Sequence, residues 1–396
     1  VKTLAAGLDS FGDVLLAGPA VRAVAAHSRH VTMVCGPRGE PAARLLPRVD
    51  GVMVWEAPWE ALWEAPWEGL APPTVQDTDS DTDGLVDLVD LVRDLKDATF
   101  DAALVLTPFH RSPLPTALLL RLAGVRRTGA DSADSVGHPG RLLDVRHRRP
   151  PGRHEAEAAL DTAAAMGFLP DPGDDGRLRV LPPPDTVALT GNGPYVVVHP
   201  GAGAPARAPS PVLCAEAVGA LADAGYRVVV TGGPDEAGLT RKVGGDTAVD
   251  LGGRTGPRAL ADVLRTADAV VCGDTGPAHL AAAVGTPVVS LCAPVPEDPA
   301  DPADPADPED PEDPEDPEDP EDPAEPWAPY GVPGRLLGEI TAQDVVAAVR
   351  KLKLLGEAPM NVLVRTGEAV KAADQARHGE RRSRDDRERL IKEVTR

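Results

Sequence analysis

Short apolar runs alternate along this chain with segments whose apolar residues recur at helical spacing. In the first part the pattern predicts strands at Val1–Leu8, Val31–Cys35, Val52–Val54 and Phe100–Leu106. Helices are expected at Val14–Ala26, Leu85–Leu95 and Ala117–Leu122, with Gly12-Asp13 in a loop. The stretch from about Pro170 to Pro194 is rich in Pro, Gly and Asp and reads as an interdomain linker with one short strand, Leu178–Leu181. The alternation then restarts, with strands at Tyr195–Val198, Arg227–Thr231, Ala269–Cys272 and Val288–Leu291. Helices are expected at Ala215–Ala224, Leu260–Thr266, Ala278–Val284 and Ile340–Leu355. Strands alternating with helices imply parallel sheets covered on both faces, so the fold class is α/β with two doubly wound units.

Length supports the division, because a single hydrophobic core stops growing at about 250–300 residues and this chain has 396. We expect domains at 1–185 and 186–355 and a densely charged tail at 356–396, solvated helix or disorder. Only 3% of residues are aromatic, so Ala, Val and Leu must fill the cores. The net charge of −22 argues against a nucleic-acid partner. Most of it lies in one insert, 297–326, where Glu297–Glu325 carries 16 acids and no base. Proline at every third position among repelling acids, as in Asp298–Pro323, predicts an extended, solvated segment.

Three other features change the picture. Trp55–Leu70 repeats an eight-residue unit and holds four of the five tryptophans. It reads as an expanded surface loop, the alternative being a rim for an acceptor or a peripheral membrane contact. Asp79, Asp81, Asp83, Asp87 and Asp90 have the spacing of a calcium loop, but no helix of the required kind leads into them, and a polar loop and helix start is the preferred reading. Cys35, Cys214, Cys272 and Cys292 show no CxxC spacing and are expected to be buried thiols in a reducing compartment. With no charged leader before a long apolar run, and no apolar span of about 20 residues, the expectation is a cytoplasmic protein.

The strongest chemical signal is Val270-Val271-Cys272-Gly273-Asp274-Thr275-Gly276-Pro277-Ala278-His279-Leu280. An apolar strand runs into a polar turn that opens a helix, with Pro277 tolerated in the first turn. The N–H groups of Thr275 and Gly276 and the helix dipole make a pocket for an anion at the carboxyl end of a strand. Asp274 would accept hydrogen bonds from sugar hydroxyls. The competing reading is that Asp274 or Thr275 only caps the helix and His279 only packs.

Gly273–His279 and the following Leu-Ala-Ala-Ala-Val-Gly-Thr-Pro resemble the signature of glycosyltransferase family 9, the heptosyltransferase family. Gly12-Asp13-Val14-Leu15-Leu16 with Pro19, His199-Pro200-Gly201-Ala202 through Arg207, Gly232-Gly233-Pro234-Asp235-Glu236 and Gly253-Arg254-Thr255 match further family motifs in order. The likeness spans about residues 1–355. It implies a GT-B fold, two Rossmann-like domains facing a cleft, and inverting transfer from a nucleotide-sugar donor to a glycan or small-molecule hydroxyl acceptor. It implies that Asp13 is the catalytic base, although an N-cap is the structural alternative. Arg207, where the family usually has Lys, would neutralise the leaving diphosphate. Ala208-Pro209-Ser210 replace the family's Arg-Trp-Pro, a further departure. Gly201, Glu236, Thr255, Thr275, Gly276 and His279 would hold the donor, Glu236 through ribose hydroxyls. His154 reads as structural. No cofactor and no metal are expected. The rival readings are a catalytically degenerate binding or scaffold protein and a sugar-nucleotide epimerase.

Overall fold

A computed structural model describes residues 1–57, 80–108, 111–131, 142–150, 152–203, 208–273, 275–291, 330–331, 334–337 and 341–355. Among them lie two parallel six-stranded sheets. The first is built from β1 (Lys2–Ala6), β2 (His30–Cys35), β3 (Gly51–Val54), β4 (Ala102–Val105), β5 (Arg127–Asp131) and β6 (Val145–His147) in the order 3-2-1-4-5-6. The second is built from β7 (Val196–His199), β8 (Val228–Val230), β9 (Val249–Asp250), β10 (Ala269–Cys272), β11 (Val288–Leu291) and β12 (Gly334–Leu337). Read from β9 to β12, its order 9-8-7-10-11-12 repeats that of the first. This is the doubly wound order, with the winding reversing between β1 and β4 and between β7 and β10. The central strands are unbroken apolar runs such as Val196-Val197-Val198, as expected of strands buried on both faces.

One apolar cluster lies between the sheets and runs continuously from Val14, Leu15 and Ala20 to Ala278, Leu280 and Ala281. The outer faces are covered separately. Helices Ser80–Ala98 and Leu114–Leu122 cover the first sheet, and Pro211–Asp223 with Ala342–Leu355 cover the second.

Several expectations are corrected. The first helix is not one piece from Val14 to Ala26. It starts at Phe11 and divides into Phe11–Leu16 and Gly18–Ala26, because Pro19 lacks an N–H and opens a new first turn. Asp13 therefore lies inside a helix and not in a loop. No strand forms at Leu178–Leu181; Leu181 N–H donates one bond to the Leu45 carbonyl, and Pro182–Pro184 offer no donor to extend a ladder. The helix expected from Leu85 begins at Ser80, so Asp81 and Asp83 of the expected polar loop already lie within it. Trp55 is buried beside Val34, Leu91 and Leu95, and is not part of a surface loop. The rest of the Trp repeat, Cys292, the acidic insert and the tail from 356 fall outside the described residues. Cys35, Cys214 and Cys272 are buried without a disulfide between them, and burial pushes the Cys35 thiol up to about 11 and Cys214 to about 12. Among the described residues no helix is long and apolar enough to cross a membrane.

The connection between the sheets is pinned at both ends. Arg22 forks onto Asp174 at 2.6 and 2.8 Å and also donates to the Arg177 carbonyl. Further on, Asp262, 1% exposed, accepts from the Thr186 N–H and hydroxyl, both at 2.8 Å, and from Arg265. Burial pushes the Asp262 carboxyl up, but the bonds from Arg265 and Thr186 outweigh it and hold the group below the usual carboxylate range. A carboxyl depressed in the folded state stabilises above its unfolded pKa, ~3.9, and that stability fades as pH falls through the folded value. Asp262→Ala strands two buried Thr186 donors and should cost about 2–3 kcal/mol in urea unfolding at pH 7. Asp262→Asn should flatten the loss of stability below about pH 4. Wild-type and Asn proteins with identical acid limbs would refute this account.

Candidate active site at the facing strand edges

Ligands bind open α/β sheets at the carboxyl ends of strands where the winding reverses. In the first sheet this edge comprises the segment after β1, with Asp9 to Asp13, and the segment after β4, with Thr107 and Pro108. In the second it comprises His199 to Gly201 after β7 and Gly273 to Gly276 after β10. The two edges meet. A Cβ on Gly12 would lie 2.8 Å from His279 Cδ2, and one on Gly276 would lie 2.7 Å from Phe11 Cδ1. Each helix thus receives the other's aromatic side chain in the space left by its own glycine, and the Phe11 and Gly276 helices pack first turn to first turn.

Asp13 is the third residue of its helix. Its Oδ2 accepts from the Ser10 N–H at 3.0 Å and the Ser10 hydroxyl at 2.6 Å, while Asp13 N–H points to Ser10 Oγ at 3.5 Å. This is a capping box, with Ser10 as the N-cap in the place sequence reasoning considered for Asp13. Oδ1 takes no hydrogen bond among the described residues. The half-buried carboxylate lines a cavity of about 420 Å³, counting its open mouth, together with Thr107, Asp131, Arg149 and Glu155. Every residue lining it comes from the first half of the chain.

Arg149 organises that wall. Its Nε donates to Asp131 at 2.7 Å, and its two terminal nitrogens donate to Glu155 at 2.6 and 2.9 Å. Burial alone would lower the guanidinium's pKa, but the bonds and charges of Glu155 and then Asp131 raise it above its ordinary value. Asp131, Arg149 and Glu155 were not foreseen from the sequence. The available signal was a carboxylate at the end of a strand, but Arg127–Asp131 is too mixed in polarity to have been recognised as one.

On the second edge Thr275 occupies the N-cap position of Gly276–Val284, and its side chain makes no cap bond; the hydroxyl reaches only the Gly273 carbonyl at 3.5 Å. His279 is 5% exposed and sits against Gly12. Glu236 ends a 3₁₀ turn, Pro234–Glu236, and its Oε2 accepts from Gly233 N–H at 2.7 Å. Gly201 makes room for that carboxylate, since a Cβ there would overlap Glu236 Oε1. His199, to which no role was given, closes the group. It is 6% exposed, with Nδ1 3.0 Å from Thr231 Oγ1 and Nε2 3.8 Å from Glu236 Oε2. Burial lowers its pKa against the pull of Glu236, so the ring is held toward its neutral form. Its signal was a histidine closing an all-valine strand. Thr255 lies half-buried just before the Pro257–Arg265 helix. Arg207 and Asp274 lie outside the described residues. His154 caps the Glu155–Ala165 helix by accepting from Ala156 N–H, a structural position. Among the described residues no three His, Cys, Asp or Glu side chains converge as metal ligands.

Two doubly wound sheets with their ligand edges opposed define the GT-B class. The solved structures most like it include a family 9 glycosyl transferase from Veillonella parvula, at TM-score 0.62 and 15% identity over 89% of this chain and 97% of that one. ADP-heptose lps heptosyltransferase II of E. coli matches at 0.60 and 18%, over 90% and 100%. The E. coli heptosyltransferase WaaC with ADP matches at 0.62 and 17%, over 89% and 100%. The model of glycosyltransferase family 9 (heptosyltransferase) matches residues 88–306, more than half of the sequence, and the chain belongs to that family. No curated protein matches it in sequence. The family match begins well after Asp13 and includes Gly201, Glu236, Thr255 and the 273–279 junction.

The reciprocal glycine contacts make a sharp mechanical prediction. Gly12→Ala gains helix propensity yet must displace His279, so it should destabilise by about 1–3 kcal/mol in urea unfolding. In a His279→Ala background the same change should be neutral or stabilising. Equal costs in both backgrounds would show that the seam does not depend on this contact.

Proposed function

We propose that the chain is an inverting glycosyltransferase that moves a sugar from a nucleoside-diphosphate donor to a hydroxyl acceptor. The observation that carries this reading is the meeting of Asp13's helix with the start of the Gly276 helix at two opposed strand edges. Asp13, with one oxygen uncommitted, sits on a helix whose first turn packs against the first turn of the Gly276 helix, which Thr275 does not cap. Orphan N–H groups and the helix dipole favour the diphosphate there. Asp13 removes the acceptor hydroxyl's proton as its oxygen attacks the anomeric carbon. The bond from that carbon to the diphosphate oxygen breaks on the opposite face, and the nucleoside diphosphate leaves with the electron pair. One base and one displacement invert the anomeric centre.

Arg207 is assigned the charge on the leaving group and Asp274 the sugar hydroxyls. Glu236, with Gly201 beside it, is assigned the ribose, and Thr255 the nucleoside. Thr275, Gly276 and His279 are assigned the diphosphate. No cofactor or metal enters this scheme. Because the E. coli neighbours are an ADP-heptose lps heptosyltransferase and a heptosyltransferase with ADP, ADP-heptose is the first donor to test. A cytoplasmic location fits a nucleotide-sugar donor.

Asp13→Asn should lower ADP release from ADP-heptose, in the presence of a hydroxyl acceptor, by about 10²–10⁴-fold. Its ADP affinity, read from the thermal shift, should stay within about twofold. Retained turnover in this variant would remove Asp13 from the role of base, and failure of the wild type to bind ADP would remove the donor assignment.

A further inference from the structure

His199 is a buried titratable side chain to which the transfer chemistry gives no task. It closes β7 at the carboxyl edge of the second sheet, where the winding reverses. Thr231 follows β8 and is held level with the end of β7 by its backbone N–H, which donates to the Val198 carbonyl at 3.0 Å. That register brings the fully buried Thr231 Oγ1 to 3.0 Å from His199 Nδ1. The other ring nitrogen, Nε2, faces Glu236 Oε2 at 3.8 Å. A lone pair on Nε2 would be repelled by the carboxylate, so the geometry assigns the ring proton to Nε2 and makes Thr231 the donor to Nδ1. Burial holds the ring toward its neutral form, so it turns a dipole toward Glu236 and leaves that carboxylate its charge.

The Glu236 side chain is 27% exposed and that of His199 is 7%, so a ligand at this edge meets the carboxylate and not the ring. The two carboxylate oxygens are not equivalent. Oε2 accepts from the Gly233 N–H at 2.7 Å and faces His199, while Oε1 lies over Gly201 at the end of β7. We propose that His199, fixed by Thr231, is a positioning residue of the donor site: it steers Glu236 Oε2 toward the sheet so that Oε1 meets the ribose hydroxyls, and so favours ribose over deoxyribose. The proposal rests on the assignment of Glu236 to the ribose. At 3.8 Å the ring is beyond hydrogen-bond distance, so Gly233 supplies the bond and His199 the electrostatic bias on its direction. A glutamate already oriented loses less rotamer freedom when the nucleotide arrives.

The test titrates the full-length protein with ADP and with dideoxy-ADP, which lacks both ribose hydroxyls, by isothermal titration calorimetry. Wild type should bind ADP about tenfold tighter or more, the scale of a hydrogen bond to a charged group. His199→Phe keeps a ring without its nitrogens, and Thr231→Val keeps the side-chain shape without the hydroxyl. Each should cut the ratio to about threefold or less while dideoxy-ADP affinity stays within about twofold. His199→Gln retains an N–H donor of similar reach and should recover most of the ratio. Circular dichroism checks folding, and either of the first two variants suffices. An unchanged ratio in a folded variant overturns the proposal, as does an equal fall in both affinities, which a purely structural role would give; both leave the transferase reading standing. Wild type binding the two nucleotides alike removes Glu236 from the ribose and the proposal with it. Failure of wild type to bind ADP at all is the separate failure of the donor assignment, and the proposal falls with it.

Discussion

The architecture depends on one contact, the reciprocal seating of His279 against Gly12 and of Phe11 against Gly276. Neither glycine has a positive φ, so their backbone conformations are open to any residue. What they supply is the missing Cβ, which lets two helices approach closely at their first turns. Each of these turns follows a strand at the reversal of its sheet, so the contact aligns two ligand-binding edges that would otherwise be independent. The apolar cluster continuing from Val14 and Leu15 to Ala278 and Leu280 then makes the seam part of the core.

From this contact the two edges divide the chemistry unequally. The first edge is built from charges held by charges: Arg149 between Asp131 and Glu155, and Arg111 against the buried Asp9. Such networks fix side-chain geometry at the expense of desolvation and favour placement over net stability. The second edge is built from absences: Gly201 yields space to Glu236, and Gly232 to Thr240 and Glu236. The space so left is filled by the Glu236 carboxylate, which accepts from the Gly233 N–H and lies near His199.

The doubly wound α/β class was legible because the central strands are valine runs alternating with segments of helical spacing; the helix starts were not, since those expected at Ala215 and Leu260 lie at Pro211 and Pro257. The peripheral strands were missed for a physical reason. Arg127–Asp131, Val145–His147 and Val249–Asp250 lie towards the sheet edges, where burial on one face suffices and composition loses its apolar signature. Motif spacing brought Asp13 and the 273–279 junction into view. It gave no access to the Arg149 network or to His199, since these are assembled by packing between segments distant in sequence. Gly201 and Glu236, two of the residues expected at the donor, are neighbours in the structure.

A second crossing between the halves is made by Tyr330 and Gly331, ahead of β12. Tyr330 stacks on His154 at 4.7 Å between ring centroids and donates its hydroxyl to Glu157. Burial, with Glu157 next, pushes the phenol up to about 12, so it remains a donor at any physiological pH. Next to it Gly331, at φ +80°, turns the backbone over Arg177 of the connecting segment. The chain is therefore fastened to the first half on one side of the acidic insert before it enters β12, while β11 holds the other side within the second sheet.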